Sequence, residues 1–291
     1  MKYICAQPET LYYQWQVNTM INSFLQNGVN QSDIIILSSK ETNEFYVLKE
    51  KYPEVNFIRY YTPTQTYAPA IKPYLMYRYF KQHQEEEQYF YADCDIILTN
   101  PLPKFEDGIF MSNTISYIGH EYIKSKGQDV VDIVCGTVGI DEQTLIDEQP
   151  NSGGCQFVFP TLPAKVWKKA YEDSYKLWKN ISAYNSLNAA QYEGTYPLQV
   201  WTSEMWATLY AMWYYGYYGK VDSRLDFAWS TDEIARMQNT SILHNAGVSD
   251  QKDLFKKSKY MRQLPPCDLT IDPTKCSSYY YNKVKEVICN D

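Results

Sequence analysis

The feature that most constrains this chain is the regular alternation of strand-like and helix-like segments over its first 100 residues. The short apolar runs that predict strands are Lys2 to Ala6, Asp33 to Leu37, Asn56 to Tyr60 and Gln88 to Ala92. Two helices are predicted between them, Tyr12 to Gln26 and Ala70 to His83. Strands separated by helices in this way indicate βαβ units, so the chain is predicted to be an α/β protein with a parallel sheet.

The second half of the chain has a less regular pattern. Its predicted elements are a strand at Cys155 to Phe159, a helix at Pro163 to Lys179, a helix at Ser203 to Gly216, a strand at Ser241 to His244 and a terminal helix at Tyr279 to Ile288. The sequence contains neither an internal repeat nor a recognisable linker. We therefore expect a single compact domain, although 291 residues would also suffice for two.

Composition excludes some classes of protein. Apolar residues make up 45% of the chain and charged residues 21%, which excludes a disordered chain. The 29 tyrosines and 7 tryptophans need a sizeable core or a surface on which rings can stack. The formal net charge of −7 argues against a globally basic nucleic-acid-binding protein, although it leaves room for a local basic groove.

The cysteines and the apolar runs bear on the cellular compartment. The seven cysteines are an odd number, lie scattered and form no CxxC pair: Cys5, Cys94, Cys135, Cys155, Cys267, Cys276 and Cys289. That pattern favours buried free thiols in a reducing compartment over a disulfide framework or a structural zinc site. No apolar run approaches the length of a membrane span, and the first residues do not resemble a signal peptide. A cytoplasmic protein without membrane contact is expected, in the host cytoplasm if it is viral.

The most informative local feature is the pair of acids in Tyr91-Ala92-Asp93-Cys94-Asp95. On an extended chain Asp93 and Asp95 point to one side and Cys94 to the other. Two carboxylates beside apolar runs repel each other, and a divalent cation would relieve that repulsion. Oxygen ligands with open positions suit Mn²⁺ or Mg²⁺, whose remaining sites can take diphosphate oxygens. The alternative is a strand end with two solvated acids, but ligands of α/β sheets bind at the carboxyl ends of strands.

One of the three histidines, His244, ends an apolar strand just before the small-residue turn Asn245-Ala246-Gly247. Its imidazole is a candidate third metal ligand. The alternative interpretation is a hydrogen-bonded core histidine. His83 and His120 lie in polar surroundings and are assigned no role.

Six short motifs carry a resemblance to a known family. They are Tyr13-Gln14-Trp15-Gln16, Tyr67-Ala68-Pro69-Ala70-Ile71-Lys72-Pro73, Tyr91-Ala92-Asp93-Cys94-Asp95, Asn151-Ser152-Gly153-Gly154-Cys155-Gln156, Trp201-Thr202-Ser203-Glu204-Met205-Trp206 and His244-Asn245-Ala246-Gly247. In this order they resemble nucleotide-sugar glycosyltransferases of the GT-A fold. The resemblance is strongest to the peptidyl hydroxyproline arabinosyltransferase and peptidyl serine galactosyltransferase group and to related bacteriophage DNA-modifying glycosyltransferases.

The resemblance implies a Rossmann-like mixed sheet flanked by helices, with a glycosyltransferase domain over residues 1–260 and a C-terminal extension, 261–291, packed on it. It also implies a metal-dependent transfer from a UDP-sugar that retains the anomeric configuration, with Asp93, Asp95 and His244 as metal ligands. The chain departs from the family in lacking a membrane anchor and in carrying Cys94 where a smaller residue is usual.

The resemblance assigns further residues to the donor and to the reaction. Ala6, Gln7, Pro8 and Glu9 would hold the base and ribose, while Lys72, Asp93, Gly153, Gly154, Gly247, Lys256 and Lys257 would contact the sugar or the diphosphate. Glu204 and Asp93 are the candidate catalytic groups, because an oxocarbenium-like sugar needs a negative face. Each assignment has a structural alternative: a strand-to-helix turn for 6–9, a solvated helix start for Lys72, a β-turn for the two glycines, a helix-dipole contact for Glu204 and a solvated charged face for the lysines.

The acceptor is the least constrained part of the prediction. A cytoplasmic member of this family suggests transfer of a pentose such as arabinose, or of a hexose, to hydroxymethylated cytosine in bacteriophage DNA. The base would have to be flipped out and could stack on the surplus aromatic rings. The alternatives are a protein or glycan hydroxyl as acceptor, a nucleotide-sugar hydrolase and a non-catalytic nucleotide-sugar-binding protein.

Overall fold

A computed structural model describes residues 1–39, 42–63, 66–192 and 196–289. In that part of the chain the strands are β1 (Lys2–Gln7), β2 (Ile34–Ser39), β3 (Asn56–Tyr60), β4 (Gln88–Tyr91), β5 (Ile96–Leu98), β6 (Phe110–Asn113), β7 (Gly153–Pro160), β8 (Lys220–Val221), β9 (Phe227–Trp229) and β10 (Ile242–His244). The helices are α1 (Leu11–Gln26), α2 (Tyr46–Lys51), α3 (Ile71–Phe80), α4 (Ile115–Ile118), α5 (His120–Lys124), α6 (Gln128–Val138), α7 (Glu142–Asp147), α8 (Ala164–Leu187), α9 (Ser203–Tyr214) and α10 (Cys276–Ile288).

The chain divides into two compact units. The first unit comprises residues 1–61, 90–106 and 223–291, and the second comprises residues 62–89 and 107–222. Strand β4 lies at the boundary, since its first two residues belong to the second unit and its last two to the first.

In the first unit, β1, β2 and β3 form a parallel sheet in which β2 lies between the other two. The run Ile34-Ile35-Ile36-Leu37 is buried throughout, as expected for a central parallel strand covered on both faces. Helix α1 packs its apolar residues, among them Val17 and Ile21, into this core. The parallel α/β arrangement predicted for the first 61 residues is therefore confirmed.

A second, three-stranded sheet of the first unit positions the candidate histidine. Strand β10 pairs antiparallel with β5 and parallel with β9. In this register His244 lies opposite Ile96 and opposite Trp229. Since Ile96 directly follows Asp95, the pairing brings the imidazole to the acidic motif although the two are far apart in the sequence.

The C-terminal helix belongs to the core of the first unit. Helix α10 contributes Tyr280 and Val284 to a buried cluster that includes Trp15 of α1 and Phe255. The indole of Trp15 donates a hydrogen bond to the carbonyl oxygen of Tyr260 at 3.3 Å. The helix predicted from Tyr279 begins three residues earlier, at Cys276. A domain boundary at residue 260 stays a prediction.

The cysteine interpretation was wrong for two of the seven residues. Cys267 and Cys289 form a disulfide whose Cα atoms lie 6.1 Å apart, whereas the other five cysteines are not in a disulfide. The pairing escaped prediction because the two residues are 22 positions apart and meet only when α10 folds back on the preceding loop. Disulfides persist mainly in oxidising compartments, so the cysteines no longer support the predicted cytoplasmic location, which stays a prediction.

In the second unit, β6 pairs antiparallel with β7 and parallel with β8, so strands of both directions are present. Three helices, α3, α8 and α9, pack together beside them, and Phe80 stacks on Trp167 with ring centroids 5.7 Å apart. The predicted helix from Pro163 to Lys179 extends to Leu187. The mixed α/β fold is confirmed.

Among the residues that the structure describes, no helix combines the length and the apolar character that a membrane span requires.

Candidate metal centre and a second buried ion pair

The acidic motif lies in a turn that connects β4 to β5. The chain leaves β4 after Tyr91, and Cys94 and Asp95 form a turn before β5 begins at Ile96. The amide of Ile96 donates a hydrogen bond to the carbonyl oxygen of Asp93 at 3.4 Å. The expectation of an extended chain through this motif was therefore wrong, because the strand that follows belongs to a different sheet and the backbone has to change direction to reach it.

The turn nevertheless brings the predicted ligands together. One ligand atom each of Asp93, Asp95 and His244 lies within 4.8 Å of the other two. The Nε2 atom of His244 is 3.4 Å from Oδ1 of Asp95. Asp95 is buried, and Asp93 and His244 are half-buried. We call these three residues the acidic triad; their convergence is what a shared cation requires.

Two aromatic rings hold the imidazole of His244. Trp229 stacks against it with ring centroids 5.5 Å apart, and Phe227 contacts it edge-on at 5.3 Å. The Nδ1 atom of His244 is buried and has no hydrogen-bond partner among the described residues. The other ring nitrogen, Nε2, is the one that faces Asp95, and an imidazole nitrogen with two carboxylates forms a donor set that suits Mn²⁺ or Mg²⁺.

A lysine in the same unit pairs with the acidic triad. The side chains of Lys257 and Asp95 form an ion pair, with Lys257 at the start of a 3₁₀ turn, Lys257–Tyr260. Burial opposes the charge on Asp95, but the charges of Lys257 and then His244, together with their hydrogen bonds, hold the pKa of Asp95 well below its usual range. Burial likewise opposes the charge on Lys257, yet Asp95 raises the pKa of Lys257 above its usual value. Both groups therefore stay charged near neutral pH.

The sequence predicts the same role for Lys256 and Lys257, but the structure gives them different partners. Lys256 is paired at 3.5 Å with Asp250, whose side chain is almost fully exposed.

Tyr12, which has no predicted role, lies close enough to Lys257 and Asp95 for their charges to affect the pKa of its hydroxyl. Burial is the main reason that the pKa of Tyr12 rises to about 12. Nothing in the sequence near Tyr12 distinguishes it from the other tyrosines, so it could not have been identified there.

The segment after β1 is buried and internally bonded. Ala6, Gln7, Pro8 and Glu9 are all buried, and the carboxylate of Glu9 pairs with Arg59. That carboxylate also accepts hydrogen bonds from the Ser38 hydroxyl at 3.2 Å and from the Phe45 amide at 3.1 Å. Glu9 therefore stabilises the loop above β1 and β2. The contact of residues 6–9 with base and ribose stays a prediction.

Gly247 and its neighbours form a tight turn after His244. Gly247 has a φ of +80°, in the left-handed region that favours glycine. The amide of Ala246 donates a hydrogen bond to the carbonyl oxygen of His244 at 2.8 Å. A Cβ atom at Gly247 would meet only the Trp229 ring, at 3.9 Å, so the backbone conformation rather than crowding calls for glycine here.

The second unit contains a different buried ion pair. Nζ of Lys72 lies 2.6 Å from Oε1 of Glu204, and the side chains are 15% and 12% exposed. The Tyr67 hydroxyl joins the same group: it donates to the carbonyl oxygen of Trp201 at 2.7 Å and accepts from the amide of Glu204 at 3.1 Å. Burial, then the charge of Glu204, raise the pKa of Tyr67 above its usual range. Lys72 and Glu204 thus pair with each other in the described structure.

The two glycines of β7 are required by packing. A Cβ atom at Gly153 would lie 2.4 Å from Cβ of Met111, and one at Gly154 would lie 2.5 Å from the Met205 methyl and 2.9 Å from Oγ1 of Thr114. Because protein atoms already occupy both positions, close packing within the unit accounts for these glycines. Their predicted contact with a bound sugar stays a prediction.

No protein-family model matches this chain, and no curated protein resembles it closely enough in sequence to count as a relative. Among solved structures it is similar to the WbbM bifunctional glycosyltransferase in its apo form, with a TM-score of 0.54 and 10% identity over 99% of this chain. This chain covers only 50% of the length of the WbbM chain. It is also similar to an active-site mutant of LgtC, with a TM-score of 0.50 and 10% identity, over 99% of this chain and 96% of that one. The likeness is one of fold, and the predicted glycosyltransferase fold is confirmed by it.

Proposed function

We propose that this chain is a metal-dependent glycosyltransferase that moves a sugar from a UDP-sugar to an acceptor hydroxyl. The observation that carries the proposal is the convergence of Asp93, Asp95 and His244, within 4.8 Å of one another, in a fold shared with glycosyltransferases. A fold alone does not establish an activity, so the chemistry of these side chains has to support it.

The charge of the site supports a divalent cation. One carboxylate oxygen of Asp93 and one of Asp95 lie within 4.8 Å of each other and of a nitrogen of His244. Two carboxylates this close repel each other, and a cation bound by both relieves that repulsion. Bound there, Mn²⁺ or Mg²⁺ would act as a Lewis acid toward the diphosphate.

The proposed role of Lys257 follows from its pairing with Asp95. If Asp95 held a divalent cation, the Lys257 ammonium would be available to the diphosphate and could neutralise the charge that builds up as UDP departs. Asp93 and Glu204 are proposed as the carboxylates that face the oxocarbenium-like sugar. Lys72, Gly153, Gly154 and Gly247 are proposed donor contacts, with residues 6–9 at the base and ribose, and retention of configuration is proposed on the sequence resemblance alone.

The test is release of UDP from UDP-sugars, measured with Mn²⁺ and with EDTA, in wild type and in Asp95→Asn. We expect release with Mn²⁺ only, and a loss of at least about 100-fold in the variant, because one charged ligand is removed. Asp33→Asn is the matched control, since it breaks the 2.7 Å ion pair with Lys2 in the same unit without touching the acidic triad. Equal release with EDTA, or full activity in Asp95→Asn, contradicts the proposal.

The acceptor is tested in the same assay. The sequence favours DNA carrying hydroxymethylated cytosine, with a protein or glycan hydroxyl as the alternative, and donor mass gained by the acceptor identifies which is used. Release to water alone identifies a hydrolase. Binding of UDP without release under any condition identifies a nucleotide-sugar-binding protein.

A further inference from the structure

Trp201 differs from the other tryptophans in its exposure. All seven lie within the described residues, and Trp201 alone has a side chain open to solvent, at 69%. Trp15, Trp167, Trp206 and Trp213 are buried. Single exposed apolar residues are common, so exposure by itself does not indicate a site. The contacts that hold Trp201 and the group next to it decide what this ring can do.

The backbone that carries the indole is fixed by several hydrogen bonds. The Tyr67 hydroxyl bonds both the Trp201 carbonyl oxygen and the Glu204 amide, and the Tyr67 ring stacks on Trp178 at 5.7 Å. The Ser203 hydroxyl donates to the carbonyl oxygen of Val200 at 2.6 Å. A fixed backbone lowers the entropy lost when a ligand settles on the ring, which is the condition for an exposed aromatic to act as a binding surface.

The group beside the indole is a carboxylate. Trp201 lies in the 3₁₀ turn Val200–Thr202 that leads into α9, and Glu204 is three residues further along. Because α9 continues directly from this turn, residues three apart across it lie on the same side, so the exposed indole and the largely buried carboxylate, 12% exposed, occupy neighbouring positions. A hexose in its ring form has a flat face of C–H groups and an edge of hydroxyls, which match these two features.

We propose that Trp201 is the platform on which the sugar ring of a glycan acceptor stacks, with Glu204 at its hydroxyl edge. This rests on the proposed transferase function and selects one of the acceptors that the sequence left open. The charges favour a glycan over DNA, because the net charge of −7 disfavours phosphate binding and because Lys72, the cation next to Glu204, is already paired with that carboxylate.

The experiment measures binding of millimolar lactose, cellobiose, maltose and methyl mannoside by saturation-transfer NMR to the full chain with Mn²⁺ and UDP. We expect at least one sugar to bind wild type, to bind Trp201→Ala about tenfold more weakly or worse, and to bind Trp201→Phe with intermediate affinity. Tyr218→Ala, which removes another aromatic side chain that is 55% exposed in the same unit, should leave binding unchanged.

Three results would overturn the proposal: no sugar binds wild type, Trp201→Ala binds as well as wild type, or an oligonucleotide with hydroxymethylcytosine binds in place of the sugars. Mn²⁺-dependent binding of UDP is recorded in parallel by calorimetry. Failure of that binding speaks against the transferase function itself, whereas intact UDP binding with unaltered sugar binding in Trp201→Ala speaks only against the platform.

Discussion

The two units of this molecule each bury a lysine–carboxylate pair, and the pairs are built differently. In the first unit, Asp95 is bonded to Lys257 and is also joined by Asp93 and His244 within 4.8 Å. In the second unit, Glu204 pairs with Lys72 and is bordered by a tyrosine hydroxyl that bonds neighbouring backbone groups. The first pair has a second carboxylate and an imidazole beside it, whereas the second has a tyrosine hydroxyl beside it.

The difference indicates what each pair can do. Two carboxylates and an imidazole can share a divalent cation, so Asp95 could exchange its lysine for one. Among the described residues Glu204 belongs to no such cluster of ligands, so it is suited to hydrogen bonding and to facing a positive charge that develops during reaction. Replacing residues of the first pair should therefore change the dependence on metal, whereas replacing residues of either pair should lower turnover.

The largest effect is expected for Glu204→Gln. It removes the carboxylate charge but keeps the shape of the side chain, and we expect transfer to fall by about 100-fold to 1000-fold, the range typical of lost general acid–base or electrostatic catalysis. Calorimetry should find Mn²⁺-dependent binding of UDP unchanged. Glu172→Gln, at the exposed pair with Lys168 on α8, is the control. Loss of metal-dependent UDP binding in Glu204→Gln would contradict the expectation that only the first pair affects metal binding.

Removing the disulfide should destabilise the first unit. Cys267→Ser opens a crosslink that spans 22 residues, and we expect about 3 kcal/mol less stability toward unfolding. Hydrogen exchange should rise first in α10, which carries Cys289 one residue beyond its end. Cys135→Ser in the second unit removes a free thiol and should have little effect. Unaltered protection of α10 would mean that the buried cluster alone fixes this helix.

Replacing Lys257 tests the difference between the two lysine–carboxylate pairs directly. Lys257→Met removes the cation that competes for Asp95, so Mn²⁺ alone should bind about tenfold more tightly and should raise the melting temperature more than in wild type. Lys72→Met is the matched variant in the second unit, where Mn²⁺ binding should not change. Turnover should fall in both variants. Weaker Mn²⁺ binding in Lys257→Met would show that the lysine does not compete with the metal.

The smallest effect concerns a half-buried carboxylate at the surface, Glu142. Hydrogen bonds from His120, then Gln128 and Lys124, lower the pKa of Glu142 to about 2 from an ordinary value of 4.5. A lowered pKa contributes stability above 4.5 that is lost as the pH falls toward 2. The urea midpoint of Glu142→Gln should thus lie slightly below that of wild type at neutral pH, and the two should merge in acid. A large difference at neutral pH would contradict the expectation that surface pairs contribute little.

Much of the first unit could be predicted because its signals are local. The apolar run at Ile34 to Leu37 is long enough to mark a strand without reference to the rest of the chain, and Asn56–Tyr60 matches its prediction. The three-residue strands β5 and β9 and the four-residue helix α4 were missed, because so few residues establish no periodicity.

The residue types that form the candidate site could be predicted from the sequence, but the contacts between them could not. Two acids and a histidine at strand ends stand out by type, so their convergence could be expected. Which of the neighbouring lysines reaches Asp95 depends on the 3₁₀ turn that begins at Lys257, and no pattern in the sequence indicates that turn. The disulfide depended likewise on the path of the loop between Cys267 and α10.

The position of the last helix has a consequence for how the site is built. Lys257 lies between Phe255 and Tyr260, whose rings stack on each other at 5.6 Å, and Phe255 in turn stacks on Tyr281 of α10 at 5.2 Å. The position of the Lys257 ammonium group thus depends on aromatic rings that lie outside the motifs that resemble the family. A chain shortened before Cys276 would lose that support while retaining every proposed metal ligand, so intact ligands alone would not preserve the charge balance around Asp95.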